Sequence, residues 1–151
     1  MRIVLDTNVL ARAMASPGGP AGELLEQTLA GHTLVVSVEL LSELTRVLAY
    51  PRVRRLHGRS DEEVAEFIGS IESSALVVQL PSPMARIVPH DPDDDMLVAT
   101  ALAGRADALC TRNRHLFDQH VVTHCGQHGV AVMDDLALLG QLREGFDVSG
   151  E

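Results

Sequence analysis

Five short runs of the chain are almost continuously aliphatic, with little alternation between apolar and polar positions. This pattern favours β-strands that are covered on both faces, as in a parallel sheet between two layers of helices. The predicted strands are 2–5, 34–37, 75–78, 108–110 and 130–132.

Helical patterns separate these runs. Ser60 and Glu63 form a capping box that opens one helix, whose apolar side chains then recur at helical spacing. Two further helices are predicted at 94–103, closed by Gly104, and at 134–142. This alternation predicts an α/β protein, a three-layer α/β/α sandwich with a central, mostly parallel sheet of about five strands. We expect one domain over 1–144 and a disordered tail over 145–151.

Composition narrows the function. The chain has 151 residues and 21 acids against 12 basic residues, all of them arginine, for a formal charge of −9. This excludes a globally basic nucleic-acid binder. No apolar run is long enough to span a membrane, and the start lacks a signal-peptide pattern. Because two cysteines, Cys110 and Cys125, make no disulfide framework, we expect a cytoplasmic protein.

Polar residues follow three of the predicted strands. The first strand leads into Asp6, Thr7 and Asn8, the second ends at Ser37, and the fourth leads into Thr111. Ligands of parallel α/β sheets bind beyond the carboxyl ends of the strands, so these residues mark a candidate site. The alternative for Asp6 alone is a cap for the helix that follows.

Glu43 is unusual for its position. On a helical projection it lies at the edge of an apolar arc, about 40° from Val47. A carboxylate there either reaches out to solvent or faces a polar pocket, and an ordinary boundary residue is the alternative.

The densest acidic feature is His90-Asp91-Pro92-Asp93-Asp94-Asp95. Proline and acids are common at helix starts, but four acids within five positions repel one another unless a cation is present. An EF-hand does not fit, because Met96 replaces the turn glycine and Leu102 the bidentate glutamate. Scattered carboxylates around a hard divalent cation fit better, and such a site suits phosphodiester hydrolysis.

The order and spacing of these motifs resemble the PIN-domain family, and in particular its ribonuclease toxins from toxin–antitoxin pairs. The resemblance spans about 2–142. It is carried by 4–10 (VLDTNVL), 37–48 (SVELLSELTRVL), 91–101 (DPDDDMLVATA), 106–113 (ADALCTRN) and 116–117 (LF).

By position, the resemblance implies that Asp6, Glu43 and Asp94 are catalytic, metal-binding acids. Asp94 is preferred to Asp95 and Asp91 because 99–101 then falls in the family's helix register. Asn113 stands where many members carry a fourth acid, and we expect it to be a further metal ligand. The groups expected to orient carboxylates or water are Thr7, Asn8, Ser37, Thr111, Asp95 and Asp91.

The resemblance also implies an activity: an endoribonuclease, dependent on Mg²⁺ or Mn²⁺, that leaves 5′-phosphate and 3′-hydroxyl ends. It implies an RNA substrate, a cognate antitoxin and a homodimer.

The alternative is a weak or inactive PIN module that binds RNA or a protein. A phosphatase would need an acid at Asn8, and a receiver domain would need a lysine, which the chain lacks.

Two basic features remain. Five arginines and no acid lie within 46–60, leaving −14 on the rest of the chain, so this stretch is a candidate RNA or antitoxin surface. Arg112 and Arg114, beside the predicted pocket, are the better candidates for contacting the scissile phosphate.

His120, His124 and His128 recur at a spacing compatible with zinc on a helix, but Val121-Val122 and nearby glycines favour a polar surface loop.

Overall fold

The central sheet has five parallel strands in the order β3-β2-β1-β4-β5. The structure is a computed structural model that describes residues 1–88 and 91–149, with the backbone alone for 146–149. The strands are β1 (Arg2–Leu5), β2 (Thr33–Ser37), β3 (Leu76–Val78), β4 (Ala108–Cys110) and β5 (Ala131–Met133). Each differs from its predicted range by at most one residue at either end.

Eight α-helices flank the sheet in the described part of the chain, so the predicted α/β/α sandwich is confirmed. They are α1 (Thr7–Ala15), α2 (Pro20–Gly31), α3 (Val38–Ala49), α4 (Pro51–His57), α5 (Asp61–Ser74), α6 (Pro92–Ala103), α7 (Gln119–Gln127) and α8 (Asp135–Ser149). A short 3₁₀ helix occupies Arg114–Phe117. No helix within these ranges has the length and apolar character that crossing a bilayer requires.

The middle of the sheet forms the core. Ile3, Val4 and Leu5 of β1 are fully buried, as are Val35 and Val36 of β2. Because both faces of these strands are covered, their central side chains are all apolar, which explains the absence of alternation in the sequence. Their burial is the main stabilising contribution to the sheet.

Two helices differ from expectation. The expectation of a surface loop around His120 is wrong, because this stretch forms α7. Val121 and Cys125 lie four residues apart and are both fully buried, so packing outweighs the weak helix propensity of valine and glycine. Helix α8 continues to Ser149, into the segment expected to be a disordered tail, and the glycines at 140 and 145 do not end it.

The strand order places a crevice between β1 and β4. β2 adjoins β1 on one side and β4 adjoins it on the other, so the connections leave the centre in opposite directions. Such a point, at the carboxyl ends of the strands, is where parallel α/β sheets bind ligands. Asp6 directly follows β1 and Thr111 directly follows β4, so both lie at this crevice.

We predict that Gly22→Ala lowers the free energy of unfolding by about 1–3 kcal/mol, because a Cβ there would overlap the backbone of Pro17. The matched control is Gly69→Ala in the exposed middle of α5, where a Cβ meets nothing within 4 Å. That change is expected to stabilise the protein by up to about 1 kcal/mol. Urea unfolding measures both, and equal effects of the two substitutions would contradict the close approach at Gly22.

Candidate metal centre

Asp6 is held at the end of β1 by the neighbouring strand. Its backbone N–H donates to the carbonyl of Cys110 over 2.9 Å. Its side chain is only 4% exposed. Oδ2 accepts a 2.7 Å hydrogen bond from the hydroxyl of Thr111, and Oδ1 accepts from the hydroxyl of Thr7 at 3.1 Å and the backbone of Asn8 at 3.3 Å. Asp6 therefore caps α1 and also presents a fixed carboxylate in the crevice. Thr7, Asn8 and Thr111 contact it as predicted.

Glu43 lies on α3 and is half-buried, as its position on the helical projection indicated. Its Oε2 atom is buried without a hydrogen-bond partner. Burial, and then the negative charges of Asp93 and Asp6, raise the pKa of Glu43 to about 7. The carboxylate therefore faces the crevice and its acids rather than open solvent.

Asp94, near the start of α6, is 5% exposed. Burial, and then the charges of Asp91 and Asp6, raise its pKa to about 6. Oδ1 accepts a 2.7 Å hydrogen bond from the side-chain amide of Asn113, while Oδ2 is buried without a partner. Asp6 is thus one of the charges that raise the pKa of both Glu43 and Asp94, so the three predicted catalytic acids lie around the same crevice without converging on one point.

Asn113 uses both halves of its side chain. The amide nitrogen donates to Asp94, and the carbonyl oxygen accepts the backbone N–H of His115 at 3.0 Å. Its backbone N–H donates to the hydroxyl of Thr111 over 3.0 Å. The residue expected as a fourth ligand therefore orients the third acid in this structure.

The other acids of the 91–95 run have different partners. Asp91 and Asp93 are exposed, and Asp91 caps α6 by accepting the N–H of Asp93 at 2.9 Å. Asp95 is buried and points away, accepting the N–H groups of Ile87 and Val88 at 2.7 and 2.6 Å. Arg86 adds an ion pair of 2.7 Å to its Oδ2. Asp95 thus fastens the segment before α6 and is a poor rival to Asp94. His90 lies outside the described residues.

Ser37 does not contact the acids in the described part of the chain. Its hydroxyl accepts the N–H of Leu40 at 3.1 Å, capping α3, and lies 2.8 Å from the hydroxyl of Thr100. The cap fixes the start of α3, so Ser37 supports the helix that carries Glu43 rather than a carboxylate itself.

Arg112 is engaged by a residue that the sequence did not single out. Asp135, 2% exposed, accepts hydrogen bonds from Nε and Nη2 of Arg112 at 2.9 and 2.7 Å. Of the two acids at the start of α8, Asp134 accepts the N–H of Ala137 and so serves the helix end. The start of the helix needs only one of these two acids. The presence of a second acid, Asp135, is the feature of the sequence that could have indicated a different role for it. Arg114 is exposed.

The arginine-rich stretch is partly neutralised. Arg54 pairs with Asp61 at 2.8 Å and Arg59 with Glu63 at 3.5 Å, both on α5. His57 is buried at the α3–α4 junction, where Nε2 lies 3.0 Å from the carbonyl oxygen of Leu48. Exposed positive charge in this stretch therefore comes from the arginines at 46, 52 and 55.

The acids fit a hard divalent cation. Within 1–88 and 91–149, no three His, Cys, Asp or Glu side chains already converge closely enough to hold a metal ion. Glu43 and Asp94 nevertheless each bury an oxygen without a hydrogen-bond partner, beside the fixed carboxylate of Asp6. Carboxylate oxygens are the ligands that Mg²⁺ and Mn²⁺ prefer, and a cation would relieve the repulsion that raises both pKa values.

The chain belongs to the PIN-domain family, whose model matches residues 2–115. A solved structure, VapBC2 from Rickettsia felis bound to a DNA fragment from their promoter, contains a similar chain. The TM-score is 0.59 at 15% identity, over 89% of this chain and 98% of that one. This likeness shows a shared fold. A search of curated proteins gives no match.

We predict that the metal-free protein loses stability as pH rises from about 4 to 7. The pKa values of Glu43 and Asp94 are raised in the folded state, so the folded protein binds these protons more tightly than the unfolded chain. The stabilisation is complete below the ordinary carboxyl pKa of about 4 and is lost as pH rises through the folded values.

Denaturant unfolding in EDTA at a series of pH values measures this loss. Glu43→Gln combined with Asp94→Asn should flatten the decline. Glu39→Gln, on the exposed side of the same helix α3, should leave it unchanged. A decline of equal size in the double variant would contradict the assignment of the pKa values.

Proposed function

We propose that this protein is a divalent-metal-dependent endoribonuclease that hydrolyses RNA phosphodiester bonds. The observation that carries the proposal is the set of three acids, Asp6, Glu43 and Asp94, gathered at the switch point of a PIN-domain sheet. Two of them bury an unpartnered carboxylate oxygen. Such an arrangement is costly without a cation, and perturbed carboxyl groups in a crevice are typical of catalytic sites.

Asp6, Glu43 and Asp94 are the residues that would hold Mg²⁺ or Mn²⁺. When bound, the metal supplies Lewis-acid chemistry, which lowers the pKa of water and neutralises charge developing on the phosphate. Without a metal these carboxylates would repel RNA, and a bound divalent cation would offset their negative charge toward a phosphate.

The chain's own residues prepare this chemistry. Thr111 and Thr7 fix both oxygens of Asp6, so that its carboxylate does not reorganise when substrate arrives. Asn113 holds Oδ1 of Asp94 and leaves the buried Oδ2 without a hydrogen-bond partner. Glu43, whose pKa is raised to about 7 by burial and then by neighbouring acids, carries a proton about half of the time at neutral pH. Preorganised carboxylates of this kind lower the reorganisation cost of catalysis.

The RNA substrate lies over the mouth of the crevice, where exposed Arg114 reaches phosphate oxygens. We further propose that the protein is the toxin of a toxin–antitoxin pair, with a cognate antitoxin and a homodimeric form. The support is the PIN-domain family and the fold shared with a chain of the VapBC2 complex.

A second candidate function is a PIN module that binds RNA or a protein without cleaving RNA. The observation in its favour is Asn113, a neutral residue hydrogen-bonded to Asp94 at the position of the family's fourth acid. Such a module binds RNA yet shows no cleavage with any divalent ion, which separates it from the leading proposal.

We predict that the protein cleaves single-stranded RNA with Mn²⁺ or Mg²⁺ and loses the activity in EDTA. Asp6→Asn and Asp94→Asn should each reduce cleavage by at least about 100-fold, because each removes a charge that holds the metal. The measurement is a gel assay with end-labelled RNA, in which products carry 5′-phosphate and 3′-hydroxyl ends.

Asp107→Asn is the matched control, since Asp107 lies at the opposite end of β4 and accepts the backbone N–H of Arg2. It should cleave at the wild-type rate. Cleavage that survives EDTA, or full activity in either site variant, would rule out the proposed metal centre.

A further inference from the structure

Arg112 and Asp135 form an ion pair with two hydrogen bonds. Both hydrogen bonds are short and parallel, the bidentate form in which guanidinium and carboxylate interact most strongly. Asp135 is 2% exposed, while the side chain of Arg112 is 57% exposed. Arg12 of α1 also lies near this carboxylate, with 3.6 Å between its Nη2 and Oδ2. Arg112 is thus held from the inside of the molecule.

Arg112 stands between two residues that contact the catalytic acids. Thr111, before it, donates to Oδ2 of Asp6 over 2.7 Å. Asn113, after it, donates to Oδ1 of Asp94 over 2.7 Å. The three-residue segment 111–113 therefore connects two acids that come from different elements, β1 and α6.

The backbone of this segment is restrained at both ends, and the carbonyl of Asn113 accepts the N–H of Leu116 at 3.1 Å. The backbone N–H of Thr111 donates to the carbonyl of Met133 at 3.0 Å, which ties the end of β4 to β5. Beyond that point the chain leaves the sheet and enters the short 3₁₀ helix at Arg114. The side chain of Arg112 is the contact that fastens the segment to α8, because Asp135 is the first residue of that helix.

We propose that Asp135 is a positioning residue: through its pair with Arg112 it fixes segment 111–113, and so orients Asp6 and Asp94 for metal binding. This inference rests on the proposed function. It also gives Arg112 a different role from the phosphate contact that its place beside the pocket suggested. Releasing Arg112 to a substrate phosphate would leave a nearly inaccessible carboxylate without its main partner, which is strongly unfavourable.

The chain contains a matched control pair. Arg143 of α8 donates through Nε and Nη2 to Glu23 of α2, both at 2.8 Å. This pair has the same bidentate geometry, and one of its two residues also lies on α8. Glu23, however, contacts neither segment 111–113 nor the acids described above. If both ion pairs only stabilise the fold, disrupting either pair should have similar effects. If the Arg112–Asp135 pair positions the acids, disrupting that pair alone should weaken metal binding.

The experiment compares Arg112→Lys, Asp135→Asn and Glu23→Gln with the wild-type protein. Arg112→Lys keeps the charge and removes the two-point contact, and it changes an exposed side chain that the fold tolerates. Two quantities are measured: Mn²⁺ affinity by calorimetry, and the side-chain amide signals of Asn113 by NMR in the metal-free protein. Thermal unfolding in EDTA reports stability separately.

We expect Mn²⁺ affinity to fall about tenfold in Arg112→Lys and Asp135→Asn, the lower end of the range for groups that orient metal ligands. The Asn113 amide signals should shift in both variants, because its hydrogen bond to Asp94 loosens. The combined variant should bind no more weakly than the weaker single variant, since both changes remove one contact. Glu23→Gln should leave affinity within about twofold and the Asn113 signals in place.

Unchanged Asn113 signals in both Arg112→Lys and Asp135→Asn would overturn the proposal, even if the variants melt at lower temperature. Shifted signals with wild-type Mn²⁺ affinity would overturn it as well. If the wild-type protein binds no Mn²⁺, the proposed function fails, and the Asn113 signals alone then decide whether the pair positions the segment.

Discussion

The structure depends on one constraint: carboxylates are gathered at the carboxyl edge of a parallel sheet where solvent hardly reaches them. Asp6 and Asp94 are almost completely buried and Glu43 is half-buried; burial first, and then nearby acids that include Asp6, raise the pKa of both Glu43 and Asp94. A domain tolerates the cost of this burial when the charges serve a ligand, and a divalent cation is the ligand that removes it most directly.

The surrounding contacts hold the acids in place despite that repulsion. Thr111 and Asn113 each donate to one acid, and Arg112 between them is fixed by Asp135. On the other side, Asp95 fastens the segment before α6 through two backbone N–H groups and Arg86. Neighbouring acids in one run thus have different roles, since Asp94 faces the crevice whereas Asp95 binds the backbone of the preceding segment. Orientation by such outer contacts commonly decides how well a metal site performs.

The layered fold could be predicted from sequence because continuous aliphatic runs follow a local rule. A strand end singled out Asp6 and a position at the edge of a helical arc singled out Glu43, whereas Asp94 was preferred to Asp95 and Asp91 only through the resemblance to the PIN-domain family. The contacts of Asp95 and Asp135 could not be predicted, because they join residues to backbone or side chains chosen by tertiary packing. The same limit explains α7, where burial of Val121 and Cys125 overrode local propensity. Asn113 was expected as a metal ligand from the family resemblance, and its hydrogen bond to Asp94 is visible only in three dimensions.

The most direct test of this account is the number of protons released when Mn²⁺ binds, obtained by calorimetry in buffers of different ionisation enthalpy. Near pH 6, Glu43 is mostly protonated and Asp94 about half protonated, given pKa values of about 7 and about 6. Metal ligands bind as carboxylates, so binding should release about one proton or more at pH 6 and almost none at pH 8. Binding with no proton release at pH 6, or no binding at all, would contradict the central claim that these acids form a metal centre.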